Sequence, residues 1–252
     1  MLLAIDVGNS HTVFGLHDGS RWVATWRHRT DIESTEDELA AWLKSMFEVV
    51  GLPFNVQSAV CASVVPGIDR TLKLLTASYF GVELKFLTGA SNHGVEVDYE
   101  PKSSVGADRI ANALAALAIQ SGPIVVVDFG TATTFDVIDA QNVYVGGAIL
   151  AGPLTSLNAL VKNTAKLPAI DLKAPSQAIG KTTSHSIASG VMFGYAGAIN
   201  ELICRISTEL DGKPLVIATG GLGEIFTELC EGIGAYNPML TLEGLRLFAE
   251  KP

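Results

Sequence analysis

Apolar and polar positions along the chain fall into runs of two lengths, and the short ones come first. LLAIDV (2–7) is apolar up to its aspartate, TVFGLHD (12–18) closes at the Asp18-Gly19 turn, and RWVATWRH (21–28) alternates, so the opening predicts a three-strand meander. A helix is predicted from about Thr35, where Thr35 and Glu38 have capping-box spacing, to Gly51 just ahead of Pro53. SAVCASVV (58–65) reads as a buried strand, 66–80 as a helix and VELKFL (82–87) as a strand. A loop rich in Gly, Asn and Ser follows. The next helix is predicted from about Val105 to Gln120, with Ser103 or Ser104 as its cap.

From Pro123 the pattern starts again. IVVVDFG, TTFDVID and NVYVGGAIL make a second three-strand meander followed by helical sequence. DVGNSHT (6–12) and DFGTATT (128–134) share an aspartate ending an apolar strand, a glycine two residues later, and small hydroxyl or amide residues leading into the next strand. One such turn is ordinary, because Gly and Asn are what turns use. Two, each opening a half of similar layout, predict an α/β protein of two duplicated lobes, 1–121 and 122–252, with a nucleotide cleft between them. Thr219-Gly220-Gly221, after the strand PLVIA and before a helix, is a third place where backbone can approach a nucleotide closely.

Composition narrows the function. With 48% apolar and 17% charged residues in 252, the chain can bury a sizeable core. A net charge of −9 argues against nucleic acid as a partner, though not against nucleotides, whose phosphates are held by backbone N–H groups and a metal. The weakly charged stretches 140–161 and 182–200 are interrupted by Gly, Pro, Asn or His, so no membrane span is expected. Met1 runs straight into LLAIDV without a basic region or long apolar run, and a cytoplasmic location is expected. Cys61, Cys204 and Cys230 have no metal-ligand spacing, and the five histidines none either.

Individual residues carry candidate chemistry. Asp6, beside Gly8 at a strand's carboxyl end, can orient Mg²⁺ through water, and Asp128 with Gly130 and Thr131 invites the same reading, Asp128 holding a cation and Thr131 donating to a phosphate. Asp108 and Arg109 fall in the first turn of a helix. There an aspartate complements the helix dipole, worth about 0.3–1 kcal/mol, or serves as general base toward a bound alcohol, with Arg109 neutralising transferred phosphate. Gly180-Lys181-Thr182 is not a Walker A loop, since Pro175 stands where its first glycine belongs, and Phe226 replaces the third glycine of a dinucleotide fingerprint. Gly190, Gly194 and Ala198 form a small-residue stripe that reads equally as packing inside the lobe or as a subunit interface.

With these residues assembled, the chain resembles the type III pantothenate kinases. The resemblance runs from Asp6 nearly to Arg246 through DVGNSHT, Tyr99 to VGADRIANALAA, VVVDFGTATTFDVI, GGAI, TAKLP, IGKTT into SGVMFGY, ATGGLG and LTLEGL, in that order. It implies the actin-like ATPase (ribonuclease H-like) fold and ATP-dependent phosphorylation of pantothenate to 4′-phosphopantothenate in coenzyme A synthesis. It implies that Asp6, Val7, Gly8, Asn9, Ser10, His11 and Thr12 form the first phosphate loop, and that Thr131 contacts ATP. It further implies that Tyr99, Gly106, Ala107, Asp108, Arg109 and Thr183 contact pantothenate, with Asp108 as base. Asp128 would bind a monovalent cation, potassium or ammonium, alongside Mg-ATP, and a homodimer would complete the site. The chain departs from the family's pattern at Ser10 and His11, where Thr and Asn are usual, and at Ala151, where Pro is usual. The alternatives are another small-molecule kinase of this fold and a regulatory protein on the same scaffold.

Overall fold

The computed structural model describes residues 1–163, 168 and 170–251, so all of TAKLP except Pro168 lies outside the described residues. The first half runs β1 (Leu2–Val7), β2 (His11–His17), β3 (Trp22–Arg29), α1 (Glu36–Val49), β4 (Ser58–Ser63), α2 (Pro66–Phe80), β5 (Leu84–Leu87), β6 (Glu96–Val97) and α3 (Ala107–Ile119). The second runs β7 (Ile124–Phe129), β8 (Ala132–Ile138), β9 (Val143–Ala151), α4 (Pro153–Lys162), α5 (Thr183–Glu209), β10 (Leu215–Thr219), α6 (Gly223–Leu229), β11 (Ala235–Tyr236) and α7 (Leu240–Ala249). The strands and helices predicted from periodicity are all present. α3 starts later than expected: Ser104 spends its hydroxyl on the Pro101 carbonyl, and the first helical bond runs from Ile110 N–H to Gly106.

Two compact units form, one from 1–95, 99–115 and the segment from Leu240 on, the other from 96–98 and 116–239. The single break after residue 121 expected from the sequence thus differs from the contact division, chiefly because α7 returns to the first unit.

In the first unit the sheet order is β3-β2-β1-β4-β5, with β1, β2 and β3 antiparallel and β4 and β5 parallel to β1. Leu3, Ile5 and Val7 pack with Leu39, Leu43 and Phe47 of α1 and Ile68, Leu72 and Leu75 of α2. Strand alternation puts Ala4 and Asp6 on the opposite face. α7 lies against β1, β4 and β5. The Thr35–Glu38 capping box closes reciprocally, with Glu38 N–H on Thr35 Oγ1 at 3.3 Å and Thr35 N–H on Glu38 Oε2 at 2.9 Å.

The second unit repeats this plan. Its sheet reads β11-β10-β7-β8-β9-β6, so the order 9-8-7-10-11 matches 3-2-1-4-5 strand for strand, with the same parallel and antiparallel pairings. Val125, Val127 and Phe129 pack with Met192, Ile199 and Ile203 of α5 and Phe226 of α6, leaving Asp128 on the other face. α5 is long and apolar enough to cross a membrane by length and composition, but its apolar face belongs to this core.

Candidate functional site

The first turn is built by three strands. Asp6 sits one residue from the end of β1, opposite Val13 of β2 and Ala62 of β4. The chain then turns through Gly8, Asn9 and Ser10 into His11 and the buried Thr12, with Gly8 N–H bonded to the His11 carbonyl at 3.0 Å. Asn9, Ser10 and His11 are exposed, whereas Val7 is buried. Thr30, the residue after β3, holds this turn from outside: its hydroxyl donates to the Gly8 carbonyl at 2.7 Å and its N–H to the Ser10 carbonyl at 3.1 Å. The Thr12 and Thr30 hydroxyls meet at 2.9 Å. Nearby, burial pushes the Cys61 thiol well above its ordinary range, with the Asp69 and Asp6 carboxylates adding to the effect, so it is not a nucleophile.

The second turn has the same construction with one residue fewer. Asp128 lies opposite Thr134 of β8 and Thr219 of β10, and Gly130 N–H bonds to the Ala132 carbonyl at 3.0 Å. The residue after β9, Gly152, donates its N–H to the Thr131 carbonyl at 3.0 Å, and the Thr155 hydroxyl donates to the same oxygen at 2.6 Å. Ser10 and Thr131 are therefore equivalent, as are Thr30 and Gly152. A Cβ on Gly152 would lie 2.4 Å from the Gly130 carbonyl oxygen and 2.6 Å from that of Thr131, so only glycine fits. Gly220, with φ +83°, presses its backbone on β7: a Cβ there would fall 2.5 Å from Asp128 Oδ1. The Thr219-Gly220-Gly221 element thus packs against Asp128.

Among the described residues no group of three or more His, Cys, Asp and Glu is placed to hold a metal. Asp6 and Asp128 each offer carboxylate oxygens, the donor type that hard cations take, and each would need carbonyls, water or a ligand's phosphates to complete a coordination shell.

Asp108 stands in the first turn of α3 with its Oδ1 accepting the Arg109 N–H at 2.9 Å. Burial raises its pKa and outweighs the lowering by that N–H and by the Arg109 charge. The terminal N–H groups of the helix still favour the ionised carboxylate, but less than burial disfavours it. Gly106 leaves room for this carboxylate, since a Cβ would sit 2.4 Å from Asp108 Oδ1. Ala107 and Arg109 are buried and Tyr99 is exposed.

Thr183 opens α5, where Thr182 Oγ1 caps the helix by accepting the His185 N–H. With Leu150, Ser156, Leu160, Gly190 and Gly194 it lines an open apolar groove of about 630 Å³ between β9, α4 and α5. Among the described residues, and apart from the helix's own backbone, no atom comes within 4 Å of a Cβ placed on Gly190 or Gly194, so both glycines border the groove. Tyr195 fixes the groove's floor, its hydroxyl 2.8 Å from Thr133 Oγ1 and donating to the Ala151 carbonyl at 2.9 Å.

Residues 2–205 match the profile described as type III pantothenate kinase. The type III pantothenate kinase of Thermus thermophilus is 44% identical over 97% of this chain and 97% of its own, and that of Gluconobacter oxydans 41% over 100% and 93%. The chain belongs to the type III pantothenate kinase family. Solved structures agree on the fold: a Baf family transcriptional activator from Campylobacter jejuni superposes with TM-score 0.63 at 21% identity, covering 98% of this chain and 96% of that one. A structure described as a 2-dehydro-3-deoxygalactonokinase from Sinorhizobium meliloti does so with TM-score 0.62 at 15%, over 99% and 96%. The two units are those of the actin-like ATPase fold. Of the family's departures, Ser10 and His11 are exposed on the first turn, while Ala151 contributes its carbonyl to Tyr195.

Sequence reasoning missed Thr30, Thr155 and Tyr195. Thr30 acts through the register of β3 beside the first turn, while Thr155 and Tyr195, the latter the end of SGVMFGY, reach the Thr131 and Ala151 carbonyls from α4 and α5 across separations that no local pattern records.

Proposed function

We propose that the protein transfers the γ-phosphate of ATP to the primary hydroxyl of pantothenate, yielding 4′-phosphopantothenate and ADP at the first step of coenzyme A synthesis. What carries this reading is the match, nearly end to end, to kinases of that name, in a chain that has Asp6, Asp108, Asp128 and Thr131 within motifs resembling the family's.

Asp6 through Thr12 form one phosphate loop, Asp6 holding Mg²⁺ through water, and Thr131 contacts ATP from the second turn. Tyr99, Gly106 to Arg109 and Thr183 contact pantothenate. Asp108 takes the hydroxyl proton as that oxygen forms its bond to the γ-phosphorus, the bond to the bridging oxygen breaks, and ADP leaves. Its raised pKa makes it a better proton acceptor than an ordinary carboxylate. Arg109 offsets charge on the transferred group, so the work is positioning and electrostatics. Asp128 holds a monovalent cation, potassium or ammonium. The protein is cytoplasmic and forms a homodimer through the α5 stripe, a reading supported by Gly190 and Gly194 bordering an apolar groove beside exposed Leu154 and Leu160.

The test is ADP release from Mg-ATP across acceptors, with potassium or with sodium. The reading expects release with pantothenate and potassium, and little with sugars or acetate. Release driven by a sugar acid instead, or none with any acceptor, would overturn it.

A further inference from the structure

The two turns are alike in a respect that the motifs do not carry. In each, the carbonyl of the middle residue, Ser10 or Thr131, is bonded by the N–H of the residue that follows the third strand, Thr30 or Gly152. In each, a threonine hydroxyl ties down a turn carbonyl as well, Thr30 on Gly8 and Thr155 on Thr131. The peptide unit is planar and trans, so fixing one carbonyl aims the following N–H the opposite way. Thr30 therefore sets two peptide planes at once: its hydroxyl turns the Gly8–Asn9 plane and its N–H the Ser10–His11 plane. Both carbonyls are drawn toward β3, which aims Asn9 N–H and His11 N–H away from it. A phosphate is bound by such aimed N–H groups, and a carbonyl oriented toward it would repel it.

We infer that Thr30 is a positioning residue for nucleotide, whose hydroxyl keeps the Gly8 carbonyl turned away from bound phosphate. The inference rests on the reading of 6–12 as a phosphate loop. It assigns a role to a residue outside that loop, and leaves Thr30 without direct contact to the reaction. The Thr12 hydroxyl, 2.9 Å from that of Thr30, holds the arrangement from the buried side.

Three proteins test this: wild type, Thr30→Val, which keeps size and backbone N–H but loses the hydroxyl, and Thr30→Ser, which restores it. Mg-ATP affinity is measured by calorimetry without acceptor, beside pantothenate-dependent turnover and thermal melting. Thr30→Val should bind Mg-ATP about tenfold more weakly, the loss of roughly one hydrogen bond's orientation, with KM for pantothenate unchanged. Thr30→Ser should recover most of the affinity. A Thr30→Val protein that melts like wild type and binds ATP as tightly would overturn the inference. So would a Thr30→Ser protein as weak as Thr30→Val, or a rise in both KM values in step with a lowered melting point. Wild type that binds ATP without turning over pantothenate would count against the proposed reaction alone, because the affinity comparison stands without turnover.

Discussion

Asp108 is where local chemistry and function part company. Its carboxylate folds onto its own helix terminus, yet burial leaves its pKa raised, so the ionised form is disfavoured by the fold. A carboxyl with a raised folded pKa costs stability as pH rises above its unfolded value, because the unfolded chain then binds fewer protons. Asp108→Asn should accordingly melt no lower than wild type at neutral pH, while kcat falls by about 10²–10⁴-fold. In the wild type, kcat/KM should decline as pH falls through this raised pKa, giving an acid limb above the ordinary carboxylate range, and the variant's residual rate should lack it. A melting point that drops with little change in kcat would return Asp108 to a structural role. The sequence made this residue visible but left both readings open, since a first-turn aspartate looks the same in each and its burial is not written in its neighbours.

At the scale of elements, each of the two aspartate–glycine turns is a junction of strands rather than a loop. Periodicity and capping chemistry revealed the strands and α1, because alternation and the Thr35–Glu38 box are written in neighbouring residues. What holds the turns was not visible, because Thr30 and Gly152 act at sequence separations of about twenty residues through β-sheet register. The register also corrects the apparent alignment of DVGNSHT with DFGTATT: the second turn is one residue shorter, and Thr131 answers to Ser10 rather than to Asn9. Gly152→Ala tests the second junction. Its Cβ would overlap two turn carbonyls, so the variant should lose about 1–3 kcal/mol of stability and bind ATP more weakly, measured by denaturant melts and calorimetry. Unchanged binding would mean that the shape of the 130–132 turn does not matter to nucleotide.

At the scale of the whole molecule, duplication explains the fold. One strand order, 3-2-1-4-5, is used twice, and each copy places an aspartate on the same strand at the same register. That much was legible, because repeated motifs announce repeated units. The return of α7 to the first unit was not, since a short amphipathic tail carries no mark of the sheet it covers. Four of its side chains, Leu240, Leu242, Leu245 and Phe248, are buried. At about 1.5–3 kcal/mol each, their loss rivals the whole stability of a typical domain, ~5–15 kcal/mol. Deleting 240–252 should therefore strip hydrogen-exchange protection from β1 and β4 before β7 and β8. Uniform loss across both sheets would contradict the division into units.

Delivery of a phosphate to pantothenate is read directly by phosphorus NMR of a reaction with Mg-ATP, pantothenate and potassium. Wild type should produce a phosphomonoester of pantothenate one for one with ADP, and Asp108→Asn almost none. ADP accumulating with inorganic phosphate and no phosphomonoester, or equal product from both proteins, would contradict the account.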